Sequence, residues 1–255
     1  LRRLTLPITS RSIAQHPEHI PVAPGVRPVK VHAETADWQQ RFLDYTRDIH
    51  KHGVSKLDGY NINLGAFQST LPKCVDAGLV SADDAAFVLH GLEHGFDLGI
   101  NHDMLKGRRV HKNYNSAYDE KEKVTKALAK RVRSGKTLKL GEFLGNARDL
   151  PAGSGIVVPQ GSVAKKLQPD DARPISDHTK TGLNAAADTS GLQHTLDTYN
   201  EIARELRAGY FMRVEDVDGA FPNLPLAPVV WKYMYVWWYD VDRPLSEQSG
   251  PNTLY

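Results

Sequence analysis

This 255-residue chain predicts an α+β fold, helical at first and strand-bearing toward its C-terminal end, on the strength of three observations. Apolar residues recur at three- and four-residue steps over 38–49, 81–92 and 116–134, the period of one helix face. Short β-rich runs follow at 156–158 and 163–175, bounded by Gly, Pro and Asp. Aromatic residues then alternate at Trp231, Tyr233, Tyr235 and Trp237, the period of a strand. The chain is expected to divide into an extended Pro-rich arm (1–34), a helical, basic region (35–150) and a strand-bearing region (151–255).

The arm carries Pro7, Pro17, Pro21, Pro24 and Pro28 with little periodicity. Such a composition cannot build its own core, and the arm is expected to lie against the body or a partner. Trp38, Phe42, Tyr45 and Ile49 define the first helix. The stretch 58–66 reads as a loop, and 66–77 as a helix in spite of Pro72, ending near Gly78. Ser81 opens the next helix, with a hydroxyl at the N-cap and Asp84 three residues on. Residues 99–115 read as a Gly- and basic-rich loop. One helix is expected over 116–134, opened by Ser116, closed by Gly135, with Val124, Leu128 and Val132 on one face. Ile156-Val157-Val158 predicts a strand, and Val163-Ala164-Lys165-Lys166 with Ala172-Arg173-Pro174-Ile175 predicts a hairpin. Leu192, Leu196, Tyr199, Ile202 and Leu206 mark a further amphipathic helix. A short strand at 210–214 and a longer one at 231–239 follow, the latter ending in an Asp240-Val241-Asp242 turn.

With 40% hydrophobic residues the chain can bury a substantial core. It has no apolar run of about 18 residues, so a membrane span is not expected. No apolar segment follows Leu1-Arg2-Arg3, so no secretory signal is read there. Cys74 is the single cysteine, cannot form an internal disulfide and is expected to be buried; an intracellular setting is expected. The net charge of +2 conceals an uneven distribution. Between Lys106 and Lys139, twelve Lys and Arg face three acidic residues. Such a patch can track a phosphate backbone or simply be a solvated helix face. On the first reading Lys123, Lys126, Lys130, Arg131 and Arg133 contact nucleic acid.

The most chemically specific stretch is Val214-Glu215-Asp216-Val217-Asp218-Gly219-Ala220-Phe221. It places a carboxylate, Asp216, at the end of a short apolar strand, with an aromatic ring five residues on. A carboxylate so placed can ligate a hard divalent cation, or it can cap the next turn. The arrangement resembles motif A, the first catalytic motif of reverse transcriptases. Upstream, Ser162-Val163-Ala164-Lys165-Lys166, then Ala172-Arg173-Pro174-Ile175-Ser176-Asp177, then Gly182-Leu183-Asn184 resemble the fingers hairpin of that family. The segment Phe87-Val88-Leu89-His90-Gly91-Leu92 through Gly99 looks like the helix preceding the polymerase region in DIRS-like retrotransposons. The resemblance covers residues 155–240 and implies fingers and a partial palm in the third region.

That resemblance implies RNA-directed DNA synthesis with Mg2+, and RNA or an RNA/DNA hybrid as partner. It implies that Asp216 binds the metal with help from the Val217 carbonyl, and that Phe221 is a floor and steric gate against a 2′-hydroxyl. Lys165 and Arg173 would meet the incoming triphosphate, whose growing charge cationic groups neutralise. Two metal ions need more than one carboxylate. No Tyr-x-Asp-Asp motif, template-gripping Gln motif or primer grip occurs in these 255 residues. Asp240 and Asp242 are the nearest substitutes, and a hairpin turn is their expected role. His178-Thr179-Lys180 also interrupts a stretch that in the family runs directly to Leu-Asn. The chain alone is therefore expected not to polymerise. It reads as a fragment of a retroelement polymerase, or as a non-catalytic structural or RNA-binding subunit of a ribonucleoprotein assembly. The open edge of the 210–214 strand is expected to meet another chain.

Two weaker signals remain. His90-Gly91-Leu92-Glu93-His94 has the spacing of inverted zinc peptidases, but Gly91 and Gly95 weaken the helix and no convincing third ligand follows. The 231–237 aromatic alternation suits a base-stacking platform or core packing, and core packing is expected.

Overall fold

The computed structural model of the chain describes residues 33–57, 60–151, 153–165, 168–188 and 224–255. The Pro-rich arm up to residue 32, the helix expected at 192–206, the strand at 210–214, and Asp216, Val217 and Phe221 lie outside these residues. Within them the fold is α+β.

Helix α1 (Ala33–His52) forms on the predicted stripe, with Trp38, Phe42 and Ile49 buried and Tyr45 packed 6.2 Å from the ring of Trp231. Lys51 puts positive charge in its last turn, where the helix dipole favours it. Gly53 follows with φ 90°, a conformation costly for any other residue. A Cβ there would also fall 2.7 Å from the Glu93 carbonyl oxygen.

Helix α2 (Leu64–Asp76) starts two residues earlier than expected because Asn63 caps it, accepting from Ala66 N at 3.0 Å. Pro72 is tolerated inside it because Gln68, whose carbonyl loses its donor, faces solvent. Cys74 is half-buried rather than buried, since no α2 residue enters the core. Helix α3 (Ala82–His94) begins on the predicted cap: Ser81 Oγ accepts from Asp84 N at 3.0 Å and donates to Asp84 Oδ2 at 2.7 Å. A Cβ on Gly91 would lie 2.1 Å from the Phe96 ring. The residue that weakens the helix is the one that lets the chain fold back over it.

Residues 99–115 are more regular than a loop. They hold a 3-10 turn (His102–Leu105) and strand β1 (Arg108–Val110), which runs parallel to β3 (Gly155–Val157) with Arg109 opposite Ile156. On its other side β3 bonds the 232–235 segment: Ile156 N donates to Lys232 O at 2.8 Å and Val158 N to Tyr235 O at 2.8 Å. Flanked twice, Ile156 and Val157 are fully buried, which explains their uninterrupted apolar run.

The helix expected over 116–134 is two, α4 (Asn115–Asp119) and α5 (Lys121–Arg133), separated at Glu120 (φ −110°, ψ 29°). Ser116 does not cap it; its Oγ accepts from Ser162 N at 3.2 Å. The break lets Ala117 and Tyr118 of α4 and Val124 and Leu128 of α5 close on one buried ring, Trp238. Tyr118 stacks on that ring at 5.6 Å, and Trp238 Nε1 donates to Thr125 Oγ1 at 2.9 Å.

Strands β4 (Gln160–Lys165) and β5 (Gln168–Ser176) form the predicted antiparallel hairpin. Helix α6 (Leu183–Ala186) then sets Leu183 and Ala186 in the core, and Asn101 N donates to Ala186 O at 2.7 Å. The 231–239 stretch is not one strand. Helix α7 (Pro228–Trp231) occupies its start, with Pro228 at the first position. Only β6 (Trp237–Trp238) is ladder-paired, in a three-stranded sheet with β7 (Thr253–Leu254) in the middle and β2 (Gly141–Glu142) beyond it. Tyr233 and Tyr235 are buried and Trp231 and Trp237 pack at the margin of the core, so these rings are packing elements, as expected. No helix among the described residues is long and apolar enough to cross a membrane.

Candidate nucleic-acid interface

The hairpin pairs Gly161 with Ile175, Val163 with Arg173 and Ala164 with Ala172, and its register shifts between Ala164 and Lys165. Helix α5 packs against β5, and Ala172 is 2% exposed. Val163, Arg173 and Ile175 are exposed, and directly opposed or alternate positions share a face of a hairpin. The basic helix and the hairpin that carries Lys165 and Arg173 thus adjoin.

Their cations are unequal. Lys165 Nζ lies 2.5 Å from Asp171 Oδ2. That hydrogen bond, with the fields of Lys165 and Lys126, holds the Asp171 carboxyl below the usual carboxylate range. Lys123 is paired with Glu120 at 2.7 Å. Arg131 falls seven residues after Val124, on the packing stripe of α5, and burial pulls its guanidinium pKa down. Lys130, Arg133 and Arg173 are exposed.

At the base of the hairpin lies a groove of about 410 Å³, lined by Tyr114, Gly161, Ser176, Asp177, Thr179 and Asn184 among others. Asp177 accepts from the Tyr114 hydroxyl at 2.6 Å and from Lys180 N at 2.9 Å. The Tyr114 bond holds the Asp177 carboxyl below its ordinary range and pushes the phenol above its own. The Lys180 ammonium sits 4.7 Å over the Tyr114 ring. The His178-Thr179-Lys180 interruption is therefore a turn organised by the Asp177 side chain. The Leu-Asn pair divides its duties: Leu183 enters the core, while Asn184 donates to Thr179 Oγ1 at 2.8 Å and lines the groove.

Arg109, His111 and Tyr114 belong to this neighbourhood, although the sequence reads them as loop. His111 lies within the electrostatic reach of Asp177 and Lys180. The available signal was the alternation of Arg109 and His111, too short to mark a strand.

Among the described residues no group of three or more His, Cys, Asp or Glu is placed to hold a metal ion. The His90 and His94 rings stand 4.8 Å apart with no third ligand among those residues. Asp240 and Asp242 hold Lys139 at 2.5 and 2.6 Å, and Asp242 N donates to Asp240 Oδ1 at 3.0 Å, so both serve the turn. Asp216, the metal ligand that the resemblance implies, lies outside the described residues. No family model matches the chain, and comparison with curated proteins and with solved structures finds no match.

Proposed function

We propose that the chain is a fragment of a retroelement-type RNA-directed DNA polymerase, and that it binds RNA or an RNA/DNA hybrid through exposed cations of α5 and of the β4–β5 hairpin. The observation that carries this reading is the packing of α5 on β5, which sets Lys130 and Arg133 on an element adjoining Arg173. Phosphates spaced along a strand reward cations distributed over adjoining elements, and the contact is sequence-independent. Binding of this kind needs no metal. Polymerisation does, and with Asp216 as the one motif carboxylate these 255 residues are expected not to extend a primer.

The test is fluorescence anisotropy with a short labelled RNA/DNA hybrid, beside primer extension on an RNA template with Mg2+. Saturable binding without extension is expected. Absence of binding at low salt sinks the interface, and extension that disappears in Asp216→Ala sinks the inactivity. A second reading, a repurposed structural or RNA-binding subunit of a ribonucleoprotein assembly, is favoured by the Lys165–Asp171 pair. A lysine that meets triphosphates must first leave its carboxylate. Loss of nucleoside triphosphate affinity in Lys165→Gln supports the polymerase reading; unchanged affinity supports the second.

A further inference from the structure

Arg109 and His111 sit two residues apart on the extended backbone of β1 and its continuation, where His111 N donates to Val157 O at 3.2 Å. Residues so spaced project to the same side. Arg109 Nε and Nη2 and His111 Nε2 are shut off from water with no hydrogen-bond partner, and so is His178 Nδ1 in the adjoining turn. A guanidinium N–H withdrawn from water without an acceptor is strongly disfavoured, and more so than a neutral donor. The Lys180 ammonium adds a second positive charge within reach of His111. The opposing carboxylate, Asp177, is already engaged by the Tyr114 hydroxyl and Lys180 N. Arg109 thus keeps two donors without an acceptor, in a cluster where Arg109 and Lys180 outnumber the one carboxylate, and the imidazoles donate or accept according to their tautomer.

We propose that Arg109, His111 and Lys180 form a phosphate-binding subsite beside the groove at the hairpin base. A phosphate group is acceptor-rich, anionic and tetrahedral, so it can take bonds from a guanidinium, an imidazole and an ammonium together. The subsite does not depend on the polymerase reading, because its residues lie on neither α5 nor β5. Burial first, then Arg109 and Lys180, hold the His111 imidazole below its ordinary pKa, with Asp177 opposing. A bound phosphate adds negative charge beside it, so His111 takes up its proton at higher pH in the complex than in the free chain.

The experiment follows the His111 imidazole resonances by NMR in the full ¹⁵N-labelled chain, assigned through their loss in His111→Gln. Inorganic phosphate is titrated against sodium chloride at matched ionic strength. The expected result is a saturable, phosphate-specific shift and a raised His111 titration midpoint. Arg109→Gln weakens phosphate about tenfold or more, the size of a lost charge-assisted bond. Arg109 is partly buried, so Lys180→Gln, at an exposed turn position, keeps the test readable if Arg109→Gln fails to fold. Lys73→Gln, an exposed position on α2, leaves phosphate affinity unchanged. A response identical to that of chloride overturns the proposal, and so does equal weakening by Lys73→Gln. Displacement of phosphate by a short single-stranded oligonucleotide assigns the subsite to a strand backbone. Tighter binding of pyrophosphate, with no displacement by the oligonucleotide, assigns it to a free phosphate ester. Either assignment supports the site.

Discussion

Removing two charges from α5 tests how the fold sorts its cations. The sequence offers seven phosphate-binding cations: Lys123, Lys126, Lys130, Arg131 and Arg133 for nucleic acid, and Lys165 and Arg173 for the incoming triphosphate. The structure pairs Lys123 with Glu120 and Lys165 with Asp171, sets Lys126 in the field of Asp171, and half-buries Arg131. Setting aside Lys126, which is exposed but faces the Asp171 carboxylate, three exposed cations are counted as phosphate contacts: Lys130, Arg133 and Arg173. Each neutralised phosphate contributes about 0.9 to the slope of log affinity against log salt, so three predict a slope of about −2.7, whereas seven predict about −6.3. Between about 50 and 200 mM salt the three-contact surface loses about 40-fold in affinity, against several thousand-fold for seven. The double variant Lys130→Gln/Arg133→Gln is expected to retain a slope of about −0.9 and to lose only about threefold over that range. Anisotropy titrations of a labelled RNA/DNA hybrid across a KCl series give these slopes directly. A wild-type slope near the seven-contact value refutes the sorting. A double variant with an unchanged slope removes α5 from the interface altogether.

Thr125→Val strips the acceptor from Trp238 Nε1 inside the core, and a fall of about 1–3 kcal/mol is expected, read as a lower urea midpoint at constant m. Gly91→Ala should gain about 1 kcal/mol on helix propensity but is expected to be net destabilising by about 1–3 kcal/mol, because its methyl meets the Phe96 ring; a thermal melt decides the sign, and Phe96→Leu in the same chain should recover part of the loss. His111 and His178 both have lowered pKa values, chiefly from burial, so the unfolded chain binds protons more readily than the folded one. Stability is therefore full above the unfolded histidine pKa of about 6.5 and declines as pH falls below it, a decline that Tm measurements should show and that His178→Gln should lessen.

Local signals were legible where one element decides its own fate. Ser81 with Asp84, the α1 stripe and the Val163–Ile175 hairpin each carry their instructions within a dozen residues, and each formed as expected. The failures share a cause, which is demand from a distant partner. Nothing near Glu120 announces a break, since the break serves Trp238, over a hundred residues away. Arg108, Arg109 and Val110 read as loop because a three-residue strand has no period of its own; β3 supplies the pairing. The 231–237 alternation was a true period misassigned to a ladder. Tyr233 and Tyr235 point into different core clusters, so burial on two sides reproduces strand periodicity while only Trp237 and Trp238 belong to a sheet.

The site obeys the same rule with a sharper consequence. Charge can be counted from sequence, but its availability cannot, because a carboxylate six residues away can silence a lysine as Asp171 does Lys165. Burial can equally strand an arginine without an acceptor, as it does Arg109 Nε and Nη2. The first arrangement takes cations away from a surface that the sequence makes look uniformly basic. The second creates a demand for an anion where the sequence shows only a loop. A residue that looks functional by type is thereby satisfied, and residues that look ordinary are left with unmet hydrogen bonds. Unmet bonds held out of water are the stronger pointer to a ligand, because the folded chain bears their cost until something supplies the acceptor.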